Sequence, residues 1–208
     1  LHARASHDFE RPASQHLEPV EAYLTGQQIV DWRALGLQGL ADFAVRMDDA
    51  SQHQVAHSIA TLPSEMLVSL CYCLEHVGIA DTLAESLRQR GERAAADGDV
   101  ETFCAWVRAV SGADESLVGE WYDSLLDDEQ ACGPDLLAAM AGRGWQHLEH
   151  ARRLPRFLTR LAKEPRADFA AVARDLALIP RLRLPVLMTL READPASPIG
   201  RRLAHLSR

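Results

Sequence analysis

The 208-residue sequence predicts an all-α fold: about a dozen short helices packed as helical hairpins, in the manner of an α-solenoid or αα-superhelix. Three observations predict it. Apolar residues recur with a period near 3.6 along almost the whole chain. No interior stretch shows the sustained two-residue alternation, rich in Val, Ile and Thr, of a half-buried strand. Glycine or proline interrupts the helical pattern about every 10–20 residues. With 47% hydrophobic and 25% charged residues, the chain can bury a sizeable core, and its length favours one domain over 1–208.

Helices are expected near 19–25, 28–47, 52–61, 64–77, 79–93, 99–111, 114–127, 134–150, 155–163, 166–178, 182–193 and 197–206. Gly26 closes the first. The second contains Gly36 and Gly39, three apart on nearly one face. Each costs a helix about 1 kcal/mol relative to Ala, so close approach of another helix is expected there. A phosphate-binding loop is not, because no strand precedes the glycines and the helix is not expected to begin at them. Pro63, Gly78 and Gly98 separate the next three. Val100, Phe103, Val107 and Val110 form the apolar stripe of the helix before Gly112. Asp114-Glu115 offers a cap and a favourable charge to the following helix, whose stripe is Leu117, Val118, Trp121, Tyr122 and Leu125. Gly133-Pro134 and Ser197-Pro198 place proline at a first helical position. Pro155, Pro165, Pro180, Pro185 and Pro195 punctuate the rest, with Phe169, Val172, Ala173 and Leu176 as one more stripe. Helix pairs over 52–77, 79–111 and 114–150 favour stacking, although no known repeat consensus recurs.

Charge is unevenly distributed. Residues 1–142 hold 8 Arg and no Lys against 24 Asp and Glu, a net of −16, whereas residues 143–208 hold 13 Arg and Lys163 against 6, a net of +8. Such asymmetry concerns partners and association, not fold. Within the helix that Pro155 is expected to start, Arg156, Arg160 and Lys163 share one face, and Phe157, Leu158 and Leu161 take the other. Arg152 and Arg153 precede the proline and are not expected to extend the stripe. The planar arginine fork suits phosphate oxygens, so Arg156, Arg160 and Lys163 are the candidate binding residues. Trp145, Phe157 and Phe169 are the aromatics of this third, too few for a base-stacking platform, and no nucleic-acid-binding signature accompanies them.

Catalytic and metal-binding patterns are thin. Cys71 and Cys73 point about 200° apart on a helix, and with His76 they lack a second ligand pair at zinc spacing. Cys104 falls in an apolar helical pattern and Cys132 precedes Gly133-Pro134; four cysteines in this length suit a reduced chain rather than a disulfide scaffold. His53 and His57 stand at i, i+4 without an intervening Glu, and His147, Glu149 and His150 form a second cluster. Asp48-Asp49, Asp97-Gly98-Asp99 and Asp127-Asp128-Glu129 are explained first by capping and solvation. No nucleophile elbow or phosphate loop is present. The chain is therefore read as non-catalytic, with no cofactor and no metal. No apolar run is long enough to span a membrane. The N-terminus has neither a signal-peptide pattern nor an initiator Met, so the sequence is expected to begin inside a longer protein.

The segments GLQGLADFAVRMDD (36–49) and LPSEMLVSLCYCLEH (62–76) resemble a family of gammaproteobacterial proteins that carries only a domain-of-unknown-function label, DUF3549. The likeness covers about residues 1–110. It implies a bacterial, cytoplasmic protein of which this is the C-terminal portion, and it transfers no catalytic residues. The expected function is a protein–protein interaction module or scaffold with an unidentified protein partner and a capacity for head-to-tail self-association. The alternative is a nucleic-acid-associated accessory protein using the basic C-terminal third.

Overall fold

The computed structural model describes residues 3–4, 7, 13–28, 31–130 and 133–206. Among the described residues, twelve α-helices and four short 3-10 turns run from Leu17 onward, and there is no strand. The helices divide into two compact units, 1–114 and 115–208.

The first unit contains α1 (Leu17–Leu24), α2 (Leu37–Arg46), α3 (Asp49–Ser58), α4 (Ser64–Leu74), α5 (Asp81–Ala96) and α6 (Val100–Ala109). Helices two apart in the chain lie side by side: α2 against α4, α4 against α6, and α3 against α5. Neighbours α1 and α2, and α5 and α6, also pack together. The core between them is formed by Leu40, Phe43, Val55, Ile59, Leu70, Leu74, Leu83, Leu87, Trp106 and Val107. Aspartates set several starts: Asp48 accepts the Ser51 N–H at 2.8 Å, and Asp99 accepts the Thr102 N–H at 3.0 Å. Each satisfies a first-turn donor that has no carbonyl partner within the helix.

The expected helix 28–47 is instead a 3-10 turn (Trp32–Ala34) followed by α2. Asp31 caps the turn through the Arg33 N–H, and Leu35 and Gly36 are extended, so α2 begins directly after Gly36. That corrects the reading of Gly36 as helix-interior and the expectation that no helix begins at these glycines; Gly39 lies in the first turn of α2. The close approach itself is present: a Cβ on Gly39 would stand 2.5 Å from the His16 carbonyl oxygen. Asp48 likewise starts α3 three residues before its expected position, with a 3-10 turn Ile59–Thr61 completing the segment.

The second unit contains α7 (Glu115–Asp127), α8 (Pro134–Arg143), a 3-10 turn Trp145–Glu149, α9 (Arg153–Lys163), α10 (Phe169–Leu178), α11 (Pro180–Arg191) and α12 (Pro198–Leu206). Gly144 divides the expected helix 134–150. Pro134 and Pro180 occupy first-turn positions, and Ser197 Oγ accepts the Gly200 N–H at 3.0 Å at the start of α12. Helix α9 is the hub, packing against α7, α8, α10, α11 and α12. Its Leu154, Phe157, Leu158 and Leu161 are buried. It begins at Arg153, two residues earlier than expected, because Pro155 sits in the first turn, where its missing N–H breaks no helical bond. No described helix is long and apolar enough to cross a membrane.

Candidate functional site

The early start of α9 moves Arg153 from the connecting segment into the helix. Arg153 is only 7% exposed, and its guanidinium meets the Asp123 carboxylate side-on. Its Nε donates to Oδ1 at 3.0 Å, and Nη2 donates to Oδ2 at 2.8 Å. Its third group, Nη1, donates to the His147 carbonyl at 2.6 Å. Gly119 makes room for it: a Cβ there would stand 2.8 Å from Arg153 Nη2. The expectation that Arg153 lies outside the stripe is therefore overturned.

The three candidate binding residues continue along the same face of α9, and each meets acidic groups within the unit. Arg156 Nη1 donates to Asp123 Oδ1 at 2.9 Å, and its Nη2 pairs with Asp127. Arg160 Nη1 lies 3.0 Å from Glu129 Oε1, while its Nη2 donates to the Asp128 carbonyl at 3.1 Å. Lys163 Nζ donates to the same Glu129 oxygen at 3.2 Å. The hydrogen bonds from Arg153 hold the Asp123 carboxyl below the usual carboxylate range against the opposing effect of burial, with the charges of Arg153 and Arg156 adding to them. Lys163 lowers Glu129 in the same way, with Arg160 beside it.

This pairing changes what the charge asymmetry means. The charge boundary at residue 142 falls inside the second unit, whose acidic helix α7 folds onto the basic α9. By unit, residues 1–114 carry 8 Arg against 17 Asp and Glu, a net of −9, and residues 115–208 carry 14 cations against 13 acids, a net of +1.

The second unit has two other surfaces, and Arg181, Arg183, Arg201 and Arg202, which the sequence offers as additions to the basic stripe, fall on them. Helix α11 buries Leu182 and Val186 but exposes Leu184 (67%), Leu187 (48%) and Met188 (39%). These three stand at i, i+3 and i+4 on one face. Leu178, at the end of α10, is 75% exposed, and Arg181, Arg183 and Arg191 are exposed on α11 around the apolar face. The signal was present in the composition of 180–191, whose leucines wrap the helix more widely than one core face can bury. The second surface is an open cleft of about 420 Å³ between the end of α9 and α12, lined in part by Lys163, Arg201, Arg202 and His205.

Cys71 is fully buried, which pushes its thiol far up, and burial, followed by the Glu75 carboxylate, pushes Cys73 up to about 11. Both therefore stay protonated and weakly nucleophilic near neutrality. Cys132 lies outside the described residues. His53 and His57 meet edge to face at 4.8 Å, with His57 Nδ1 donating to the His53 carbonyl at 2.7 Å. His147 is buried against the Tyr122 ring at 5.5 Å. Among the described residues, no three His, Cys, Asp or Glu side chains gather in a way that would hold a metal ion.

Fold and site together define a class: an all-α protein of two helical units, one acidic and one internally neutralised by an Asp–Arg ladder. The chain belongs to the DUF3549 family, described as a protein of unknown function, whose model matches residues 1–207. The likeness seen in 36–49 and 62–76 thus extends through both units. No curated protein and no solved structure matches the chain.

Proposed function

We propose that this chain is a non-catalytic protein–protein interaction module of the bacterial cytoplasm, and that α11 carries the contact. The observation behind this reading is the exposed face of Leu184, Leu187 and Met188 with arginines around it. Leaving that much apolar surface in water is unfavourable, and contiguous patches of this kind on soluble proteins mark contact sites. Arg183 and Arg191 beside this face favour an acidic partner and disfavour a basic one, while Arg181 pairs with Glu149 Oε2 at 3.3 Å. The side-by-side packing of alternate helices in the first unit supports a solenoid-like stack, which presents extended surfaces to partners. The protonated Cys71 and Cys73 thiols favour a non-catalytic role.

The nucleic-acid alternative draws less support. The cations it would use, Arg156, Arg160 and Lys163, are engaged by Asp123, Asp127 and Glu129. Any polyanion would first have to displace those carboxylates. Self-association has a specific form: the arginine-flanked α11 of one copy against the acidic first unit of another. A strict monomer in sedimentation at low salt and high concentration would rule it out.

The test is a pull-down from a gammaproteobacterial lysate, with and without nuclease, comparing the native chain with Leu184→Ser/Leu187→Ser/Met188→Ser. The expected result is a protein that survives nuclease, is lost with the triple variant, and binds the native chain again when purified. Capture that ignores the triple variant, or that vanishes with nuclease, defeats the reading. These side chains are exposed, so the variant should keep the native circular dichroism spectrum and melting temperature.

A further inference from the structure

We propose that the cleft between the C-terminal end of α9 and α12 binds a small phosphomonoester. The cleft encloses about 420 Å³, within the size range of ligand sites, and none of its lining residues is acidic. Arg201 and His205 stand at i, i+4 on α12, so their side chains project from one face, and Lys163 enters from α9. Arg201 and His205 have no ion pair among the described residues. Together the three groups offer a phosphate a guanidinium fork, an ammonium and a ring N–H.

A helix C-terminus ordinarily repels an anion through its unpaired carbonyls. Here Arg202 caps two of those carbonyls at the end of α9. Its Nε donates to the Ala162 carbonyl at 3.0 Å, and its Nη2 donates to the Glu164 carbonyl at 2.5 Å. The same two bonds tie α12 to the end of α9, so the cleft is held open by structure already formed. Lys163 has one competitor, Glu129, whose carboxylate lies 3.2 Å away in a solvent-exposed pair. An incoming phosphate must displace Glu129 from Lys163, as a polyanion would, and an exposed pair of this kind exchanges at little cost.

The neutral lining residues indicate that the ligand is more than inorganic phosphate. Ala162, Pro165 and Pro198 contribute carbon surface beside the cations, and the volume exceeds that of a single phosphate. The phosphate is therefore placed on Lys163, Arg201 and His205, and a small organic group on the prolines. A long polyanion fits less well, because the second unit carries a net charge of only +1 and the first −9.

The test is isothermal titration of the whole chain with phenyl phosphate, inorganic phosphate and a single-stranded oligonucleotide. The expected result is saturable phenyl phosphate binding with Kd below about 1 mM and weaker binding of inorganic phosphate. Arg201→Ser and His205→Ala, both at exposed positions, should each weaken phenyl phosphate about tenfold or more, with circular dichroism and melting temperature unchanged. Absence of saturable phenyl phosphate binding overturns the proposal, as does binding that both variants retain. Oligonucleotide binding lost in both variants, without phenyl phosphate binding, assigns the cleft to a polyanion and likewise overturns it.

Discussion

Arg153 and Asp123 form a two-point ion pair between helices α9 and α7, 30 residues apart in the chain, with the arginine side chain 9% and the aspartate 37% exposed. Removing one partner of such a pair leaves the other desolvated, whereas removing both leaves no uncompensated charge. Asp123→Leu and Arg153→Met should therefore each destabilise the second unit, Asp123→Leu by about 2–4 kcal/mol, the lower end applying because Asp123 is partly in water. The double variant Asp123→Leu/Arg153→Met should lose less than the sum of the two single variants. Urea unfolding of all three checks this, and strict additivity would show that the pair contributes no coupling.

The same carboxylate gives the unit a defined acid sensitivity. Asp123 has its folded pKa lowered, chiefly by hydrogen bonds from Arg153. A depressed carboxylate contributes stability that is complete above its unfolded pKa, about 3.9, and is lost as pH falls through the lower folded value. The stability gap between the native chain and Asp123→Asn should thus be constant near neutrality and narrow below about pH 4. Urea midpoints from pH 7 to pH 3 measure it. Other carboxylates titrate in both proteins and cancel in the difference, so a gap independent of pH would contradict the assignment.

Charge reversal on α9 should act on folding rather than on binding alone. Arg156→Glu would place a carboxylate opposite both Asp123 and Asp127. A loss of about 1–3 kcal/mol is expected, lowering the melting temperature by roughly 5 °C or more. Adding Asp127→Arg restores one attractive pair and should recover part of the loss. Thermal unfolding of the single and double variants distinguishes this from a purely surface effect, in which neither melts differently. Nucleic-acid binding lost on reversing Arg156, Arg160 and Lys163 together has the same ambiguity unless stability is measured alongside it.

The helices were legible because their causes are local. Periodic apolar residues such as Phe103 and Val107, and starts such as Gly133-Pro134 and Ser197-Pro198, act within a turn or two of the chain, although Val100 of the same expected stripe is 55% exposed. Boundaries shifted where one side chain out-competed the periodic pattern, as Asp48 did for α3 and Asp31 for the turn before α2. The functional surface was less legible because it depends on residues about 30 apart. Arg156, Arg160 and Lys163 were identifiable as a stripe, yet nothing near them in sequence announces Asp123, Asp127 and Glu129 as partners. Arg153 was missed because a proline two residues later reads as a helix start, although proline is tolerated anywhere in the first turn. The exposed face of α11 was missed because periodicity marks apolar residues without saying which of them a neighbour covers.

Gly39 tests whether that local pattern also sets how the first two helices dock. It is buried on α2, and a Cβ there would fall 2.5 Å from the His16 carbonyl oxygen and 2.9 Å from the His16 carbonyl carbon. These are backbone atoms immediately before α1, so no rotamer change relieves the clash. Alanine in place of glycine would favour α2 by about 1 kcal/mol through helix propensity. The steric cost of overpacking is about 1–3 kcal/mol and acts in the opposite direction. Gly39→Ala should therefore leave α2 helical while loosening α1 from it. Hydrogen exchange checks this directly: the amides of Leu17–Leu24 should exchange faster in the variant, and those of α4 and α6 should not. Unchanged protection in α1 would mean that the chain before Leu17 yields freely, and that the glycine is not required for the contact.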